Sequence, residues 1–122
     1  IMEKTYMTWE EFDYCCNKIA EFLRSSRMEI KNIYGIPRGG LMVAVRLSHL
    51  LDKPIVIQEA DIEAHTLIAD DIVDTGRTTE KYREKGLMVV SLWYNRSQCP
   101  HVPLAWVLEK TDKWIVFPWE EE

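Results

Sequence analysis

The sequence predicts an α/β fold, a single domain with a central parallel sheet flanked by helices, on three observations. Stretches patterned for strands and for helices alternate along the chain. The run Leu67, Ile68, Ala69 is apolar at consecutive positions, as in strands buried on both faces of a parallel sheet. The turns "PRGG" and "DTGRTT" end strand-type stretches and open helix-type ones, and parallel neighbours joined in this way take right-handed crossovers. Composition agrees: 122 residues, 47% hydrophobic and 29% charged, describe one ordinary globular domain over positions 1–122. A chain of this size buries roughly two thirds of its unfolded surface and needs no staples.

The first element is a helix. "MTWEEF" places Thr8 three residues before Glu11, a capping box, with Met7 and Phe12 set for a hydrophobic staple. Trp9, Phe12, Cys16, Ile19, Ala20 and Leu23 then recur at helical spacing to about Ser25 and form one apolar face. "EIKNIYGI" reads as a strand ending at "PRGG", and "LMVAVRLSHLL" as the helix that follows. "KPIVIQ" is a short strand, "HTLIADD" another, and "TTEKYREKG" a short helix closed by Gly86. "LMVVSLWY" is the next strand and "LAWVL" the last. No internal repeat or low-complexity segment is present.

Charge and cysteine usage narrow the function. A formal charge of -5 disfavours general attraction to nucleic acid backbones, so no nucleic acid partner is expected and any polyanion must be held locally. Cys15 and Cys16 are adjacent and Cys99 stands alone, with no CxxC pair or His cluster at zinc spacing, which fits a reducing, cytoplasmic setting. No apolar stretch approaches the ~20 residues that span a bilayer, and "IMEKTYMTWEEF" has no signal-peptide core, so neither membrane association nor secretion is expected.

The informative stretch is "LIADDIVDTGRTTEKY", residues 67–82, where three aspartates crowd the end of an apolar strand. Open α/β sheets bind ligands at the carboxyl ends of their strands. "DTGRTT" supplies a glycine, three threonine hydroxyls and a run of backbone N–H groups at a helix start, a phosphate cradle. Asp70 and Asp71 would repel a phosphate unless they face sugar hydroxyls or a divalent metal carrying its counter-charge, so the combination asks for a phosphorylated sugar with Mg²⁺. A Walker A loop is absent because GxxxxGK[ST] is missing, and a dinucleotide fingerprint because GxGxxG is missing. Plain helix capping explains Asp74 or Thr75 alone but not the whole string.

The string "LIADDIVDTGRTT" resembles the phosphoribosyl pyrophosphate (PRPP) motif of type I phosphoribosyltransferases. "YGIPRGG" resembles the family's pyrophosphate loop, "LWYNRS" its purine-contact strand, and "DKWIVFPWE" the C-terminal end of the xanthine-guanine enzymes, so the likeness spans about residues 33–120 and is nearest to the xanthine-guanine and hypoxanthine (purine) members. The resemblance implies a five-stranded parallel core, Mg²⁺ dependence, and a reaction in which a purine-type base displaces pyrophosphate from C1 of PRPP to give a nucleoside monophosphate.

Residue by residue, it implies that Asp70 and Asp71 approach the ribose hydroxyls directly or through Mg²⁺, and that Asp74 sits by N7 of the base as proton acceptor. Backbone groups of Thr75, Gly76, Arg77, Thr78 and Thr79 would hold the 5′-phosphate, with the threonine hydroxyls adding donors; Arg77 replaces the small residue often found there. Arg38 would pair with the leaving pyrophosphate, while Gly39 and Gly40 let the main chain come close. Trp114 would stack on a purine and the Ile115 backbone would bond its edge. Asn95 stands where 6-oxopurine enzymes carry a lysine for O6, and an amide can donate or accept there.

One departure bears on activity. The family's long mobile loop is reduced to "EADIEA", residues 59–64, too short for a lid. His65 beside it reads as an exposed loop residue. Either a neighbouring subunit of a homo-oligomer supplies the cover, or turnover is slow, or catalysis is lost. Two functions follow: a purine-type phosphoribosyltransferase, and a PRPP- or nucleotide-binding regulatory protein of the same fold.

Overall fold

The computed structural model describes residues 2–120. Five parallel strands form the sheet in the order β3 (Ile55–Val56), β2 (Asn32–Gly35), β4 (Thr66–Val73), β5 (Met88–Tyr94) and β6 (Leu108–Glu109). The chain winds outward from β2 to β3, then crosses back to place β4 on the other side of β2. The direction of winding therefore reverses between β2 and β4, and a crevice opens where their carboxyl ends diverge.

Both faces of the sheet are covered, as the continuous apolar run of β4 requires. Helices α1 (Trp9–Ser26) and α2 (Gly39–Leu51) pack on one face. There Leu67 and Ala69 of β4 join Ile33, Val90 and Leu92 in a core with Phe12, Cys16, Ile19, Val43 and Leu47. Ile68 and Val73 point to the opposite face, where they meet Tyr34, Val56, Val89, Tyr94 and Tyr82 of the short helix α3 (Glu80–Glu84). Leu67, Ile68 and Ala69 thus alternate with the two-residue period of a strand, and past Asp70 and Asp71 the parity changes, since Ile72 packs on the first core and Val73 on the second.

Helix α1 begins as its sequence dictates. Thr8 Oγ1 accepts from the Glu11 N–H at 3.0 Å, and Glu11 Oε1 accepts from the Thr8 N–H at 2.9 Å. It ends at Arg27, whose φ of 61° breaks the helical repeat. One member of the expected apolar face differs. Trp9 is exposed and leans edge-on against Phe12 and tilted against Trp119 at the helix start, while Cys15 takes a buried place. Cys15 and Cys16 are both free, and burial pushes each thiol up to about 12.

Two corrections concern strands. "LAWVL" is not regular: Ala105 makes one isolated bridge to Val90, Trp106 turns to pack on Tyr94, and pairing resumes only at β6. A second sheet, not anticipated, joins β1 (Lys4–Tyr6) to β7 (Trp114–Val116) in parallel register. It brings the two ends of the chain together beside the crevice. Among the described residues no helix is long and apolar enough to cross a membrane.

Candidate active site

Two loops face each other across the crevice. The first follows β2 and runs directly into α2, which starts at Gly39 rather than at Leu41. The Pro37–Arg38 peptide bond is cis. Arg38 is exposed, and among the described residues its guanidinium meets no acceptor. The glycines here serve close packing within the protein. A side chain on Gly40 would meet the Ala69 carbonyl oxygen at 2.5 Å, and one on Gly39 would overlap the Asp71 carboxylate. Their bare Cα atoms admit the end of β4, and with it Asp71.

The second loop follows β4. Asp70 is buried, and its Oδ1 accepts from the Asp71 N–H at 2.9 Å. Burial, then the charge of Asp71, pushes the Asp70 carboxyl up to about 8. Asp71 is half-buried, and its Oδ1 accepts from the Ile72 N–H at 2.8 Å. The pair suits a divalent cation by donor type. A cation would offset the burial and the Asp71 charge that raise the Asp70 carboxyl, and two adjacent carboxylates are hard oxygen donors of the kind Mg²⁺ takes. Among the described residues no group of three or more His, Cys, Asp or Glu is placed to hold an ion, so the remaining ligands would be water and substrate oxygens.

Beyond Val73 the chain turns through Asp74, Thr75, Gly76, Arg77, Thr78 and Thr79. Gly76 has φ of 88°, a conformation side chains rarely adopt, and Cys99 Sγ lies 2.6 Å from where its Cβ would stand. Among the described residues, the N–H groups of Thr75, Gly76, Thr78 and Thr79 find no acceptor, while the Arg77 N–H is bonded to Thr75 Oγ1 at 3.3 Å. Four open donors around one turn are an anion cradle. The helix dipole adds little, because α3 has only five residues. The threonine hydroxyls divide: Thr79 donates to the Gly76 carbonyl at 3.3 Å, Thr75 accepts from the Arg77 N–H and keeps its own O–H to donate, and Thr78 is exposed and open.

Asp74 is exposed and bonded to one side chain, that of Asn95, whose Nδ2 donates to its Oδ1 at 2.6 Å. Asn95 is 5% exposed, and its Oδ1 accepts from Ser97 Oγ at 2.9 Å. The residue expected at the edge of a base is thus turned toward Asp74. Trp114 is 54% exposed at the start of β7. Its N–H donates to the Glu3 carbonyl, and the Val116 carbonyl accepts from the Met7 N–H, so strand alternation turns the Ile115 backbone groups to the uncovered edge.

A cavity of about 770 Å³ joins Arg38, Gly39 and Asp71 to Met42, Trp119 and Glu120. Trp119 was not singled out from sequence. It stacks on Phe117 with centroids 4.9 Å apart, a contact that no spacing in "FPWE" reveals. The short link after β3 is fastened rather than free. In its single 3-10 turn, Glu59–Asp61, the Glu59 carboxylate accepts from Tyr82 Oη at 2.7 Å and from Lys81 Nζ at 2.9 Å. His65 lies outside the crevice, 3.5 Å from Glu29.

Strand order and switch point define an α/β protein with an open N–H turn at the carboxyl edge of its sheet. The chain belongs to the type I phosphoribosyltransferase family. It is 34% identical to the purine phosphoribosyltransferase of Pyrococcus horikoshii Ot3, over 99% of this chain and 96% of that one, with a TM-score of 0.82. The fold is shared with the xanthine-guanine-hypoxanthine phosphoribosyltransferase of Helicobacter pylori (16% identity, 97% and 94% coverage, TM-score 0.80). It is shared also with a hypoxanthine phosphoribosyltransferase of Staphylococcus aureus (18%, 88% and 77%, 0.68). No family model and no curated protein matches the sequence.

Proposed function

We propose that the protein transfers the 5-phosphoribosyl group of PRPP to a purine, releasing pyrophosphate and forming a nucleoside monophosphate. The observation that carries this reading is the turn at residues 75–79, whose four open N–H groups stand one strand-end away from a carboxylate pair and across the crevice from an unpaired arginine. The purine nitrogen bonds to C1, the C1–O bond to pyrophosphate breaks, and the base's proton passes to Asp74. Thr75 to Thr79 hold the 5′-phosphate, Arg38 meets the departing diphosphate, and Trp114 and the Ile115 backbone receive the base. Asp70 and Asp71 face the ribose hydroxyls and would hold a Mg²⁺ ion, whose charge, when bound, stabilises the leaving diphosphate. Little covalent help is needed from the chain, because an oxocarbenium-like centre forms as the diphosphate departs.

A second reading, a PRPP- or nucleotide-binding regulator without efficient turnover, is favoured by one feature. The link that would form a lid is short and pinned to α3 by Glu59, so this chain alone leaves the reacting face open to water. Titration calorimetry tests the site common to both. PRPP with Mg²⁺, or at least one of GMP, IMP and AMP, is expected to bind at or below millimolar concentration, and failure of all four removes the assignment.

A further inference from the structure

Asn95 sits at the centre of a buttress beneath the second loop. It follows β5, and its N–H donates to the Val73 carbonyl at 2.9 Å, which locks it beside the end of β4. Its own carbonyl accepts from the N–H groups of Gln98, at 3.2 Å, and Cys99, at 3.0 Å. Cys99 in turn fills the space behind Gly76. Residues 95–99 therefore support both ends of the turn that runs from Asp74 to Gly76.

The side chain completes the arrangement. An amide can face a carboxylate with its NH₂, which attracts, or with its oxygen, which repels. Asp74, a carboxylate that only accepts, selects the orientation in which Nδ2 points at it, and Ser97 Oγ donates to the Oδ1 on the other side and so helps to hold the amide there. Asp74 has no other hydrogen-bond partner among the described residues, and an exposed aspartate with no partner moves freely among rotamers. Proton transfer, by contrast, requires the acceptor within about 3 Å of the proton's donor atom and aligned with it.

We propose that Asn95 is a positioning residue for Asp74: it fixes one carboxylate oxygen so that the other faces the base, and it does not itself recognise the base. The inference rests on phosphoribosyl transfer with Asp74 as proton acceptor. It also bears on substrate class. An uncharged amide committed at both ends presents no ammonium to the purine, so this position does not sort purines by their 6-substituent.

The test compares wild type, Asn95→Ala and Ser97→Ala with hypoxanthine, guanine and adenine. A misplacement of about 1 Å costs about 100-fold, so Asn95→Ala is expected to lower kcat roughly 10- to 100-fold. The factor should be the same for every base that the wild type accepts, with base KM and GMP affinity held within about threefold, because orientation is lost and ground-state binding is not. Ser97→Ala, an exposed change that releases the amide orientation, is expected to lower kcat about threefold to tenfold in the same pattern. A kcat unchanged by Asn95→Ala overturns the proposal. So does a base KM raised about tenfold, or a loss that differs as much between 6-oxo and 6-amino bases, since either makes Asn95 a base contact.

Should Asn95→Ala not fold, Ser97→Ala decides by the same criteria. Should the wild type transfer to no base, phosphoribosyl transfer itself fails, and the contact is then read by NMR. The Asn95 side-chain amide protons are expected to shift on Asp74→Asn; the absence of a shift overturns the positioning role.

Discussion

Gly39→Ala separates the site from the scaffold. Gly39 is the first residue of α2, where its backbone already suits alanine, and replacing a helical glycine by alanine contributes about 0.5–1 kcal/mol. The added Cβ overlaps the Asp71 carboxylate, which sits on the bare Cα of Gly39. That carboxylate ends a short side chain on a half-buried residue, so it can swing aside where backbone could not. Retreat to ordinary contact moves it by more than about 1 Å, a displacement that costs on the order of 100-fold in a positioned catalytic group. Thermal melting should stay within about 2 °C of wild type, since the helix gain offsets the rotamer change. Pyrophosphate release should fall about 100-fold, with GMP affinity reduced far less, because the ribose contact of Asp71 is lost but the N–H cradle for the phosphate is untouched. Wild-type turnover in a folded Gly39→Ala variant would refute the role given to Asp71.

Three further outcomes follow from particular contacts. Arg38→Ala should weaken PRPP and pyrophosphate by calorimetry at least about tenfold more than a nucleoside monophosphate, because the arginine meets the diphosphate alone; equal losses would refute that division. Asp70→Asn should flatten the pH dependence of stability in the ligand-free protein. The folded carboxyl titrates near 8 and the unfolded one near 3.9, so its contribution is fully present below about pH 4 and is lost as pH rises toward 8; melts should show the variant gaining on wild type from pH 5 to pH 8. Thr8→Ala should lower the free energy of unfolding in urea by about 1 kcal/mol through loss of the capping box, with no change in ligand affinity.

The sequence made legible what depends on local pattern. The parallel sheet followed from a strand apolar on both faces, α1 from the Thr8 and Glu11 pair, and the anion turn from "DTGRTT". What escaped depends on pairing between distant segments. β1 and β7 are three residues each and lie over a hundred positions apart, so neither has a period to detect and only their mutual hydrogen bonds define them. Trp119 reaches the cavity because Phe117 and α1 hold it there. Asn95 was assigned to the base by its alignment with a lysine of 6-oxopurine enzymes, and alignment does not show the hydrogen bonds its side chain makes to Asp74 and Ser97. That the bare Cα atoms of Gly39 and Gly40 also admit the end of β4 is a contact between segments about thirty residues apart, which no local pattern shows.

The central claim is transfer of the phosphoribosyl group, and product formation tests it most directly. Wild type and Asp74→Asn are incubated with PRPP, Mg²⁺ and each of a panel of purines and pyrimidines, and nucleoside monophosphate and pyrophosphate are quantified together. The account predicts slow, purine-dependent formation of both products in equal amounts, with some base-independent hydrolysis of PRPP because the pinned link leaves the site open. It predicts loss of the purine-dependent part alone in Asp74→Asn, which keeps its fold and its affinity for the monophosphate. Tight binding of PRPP with no nucleotide formed from any base would contradict phosphoribosyl transfer and leave the regulatory reading, and turnover undiminished in Asp74→Asn would remove that residue from the chemistry.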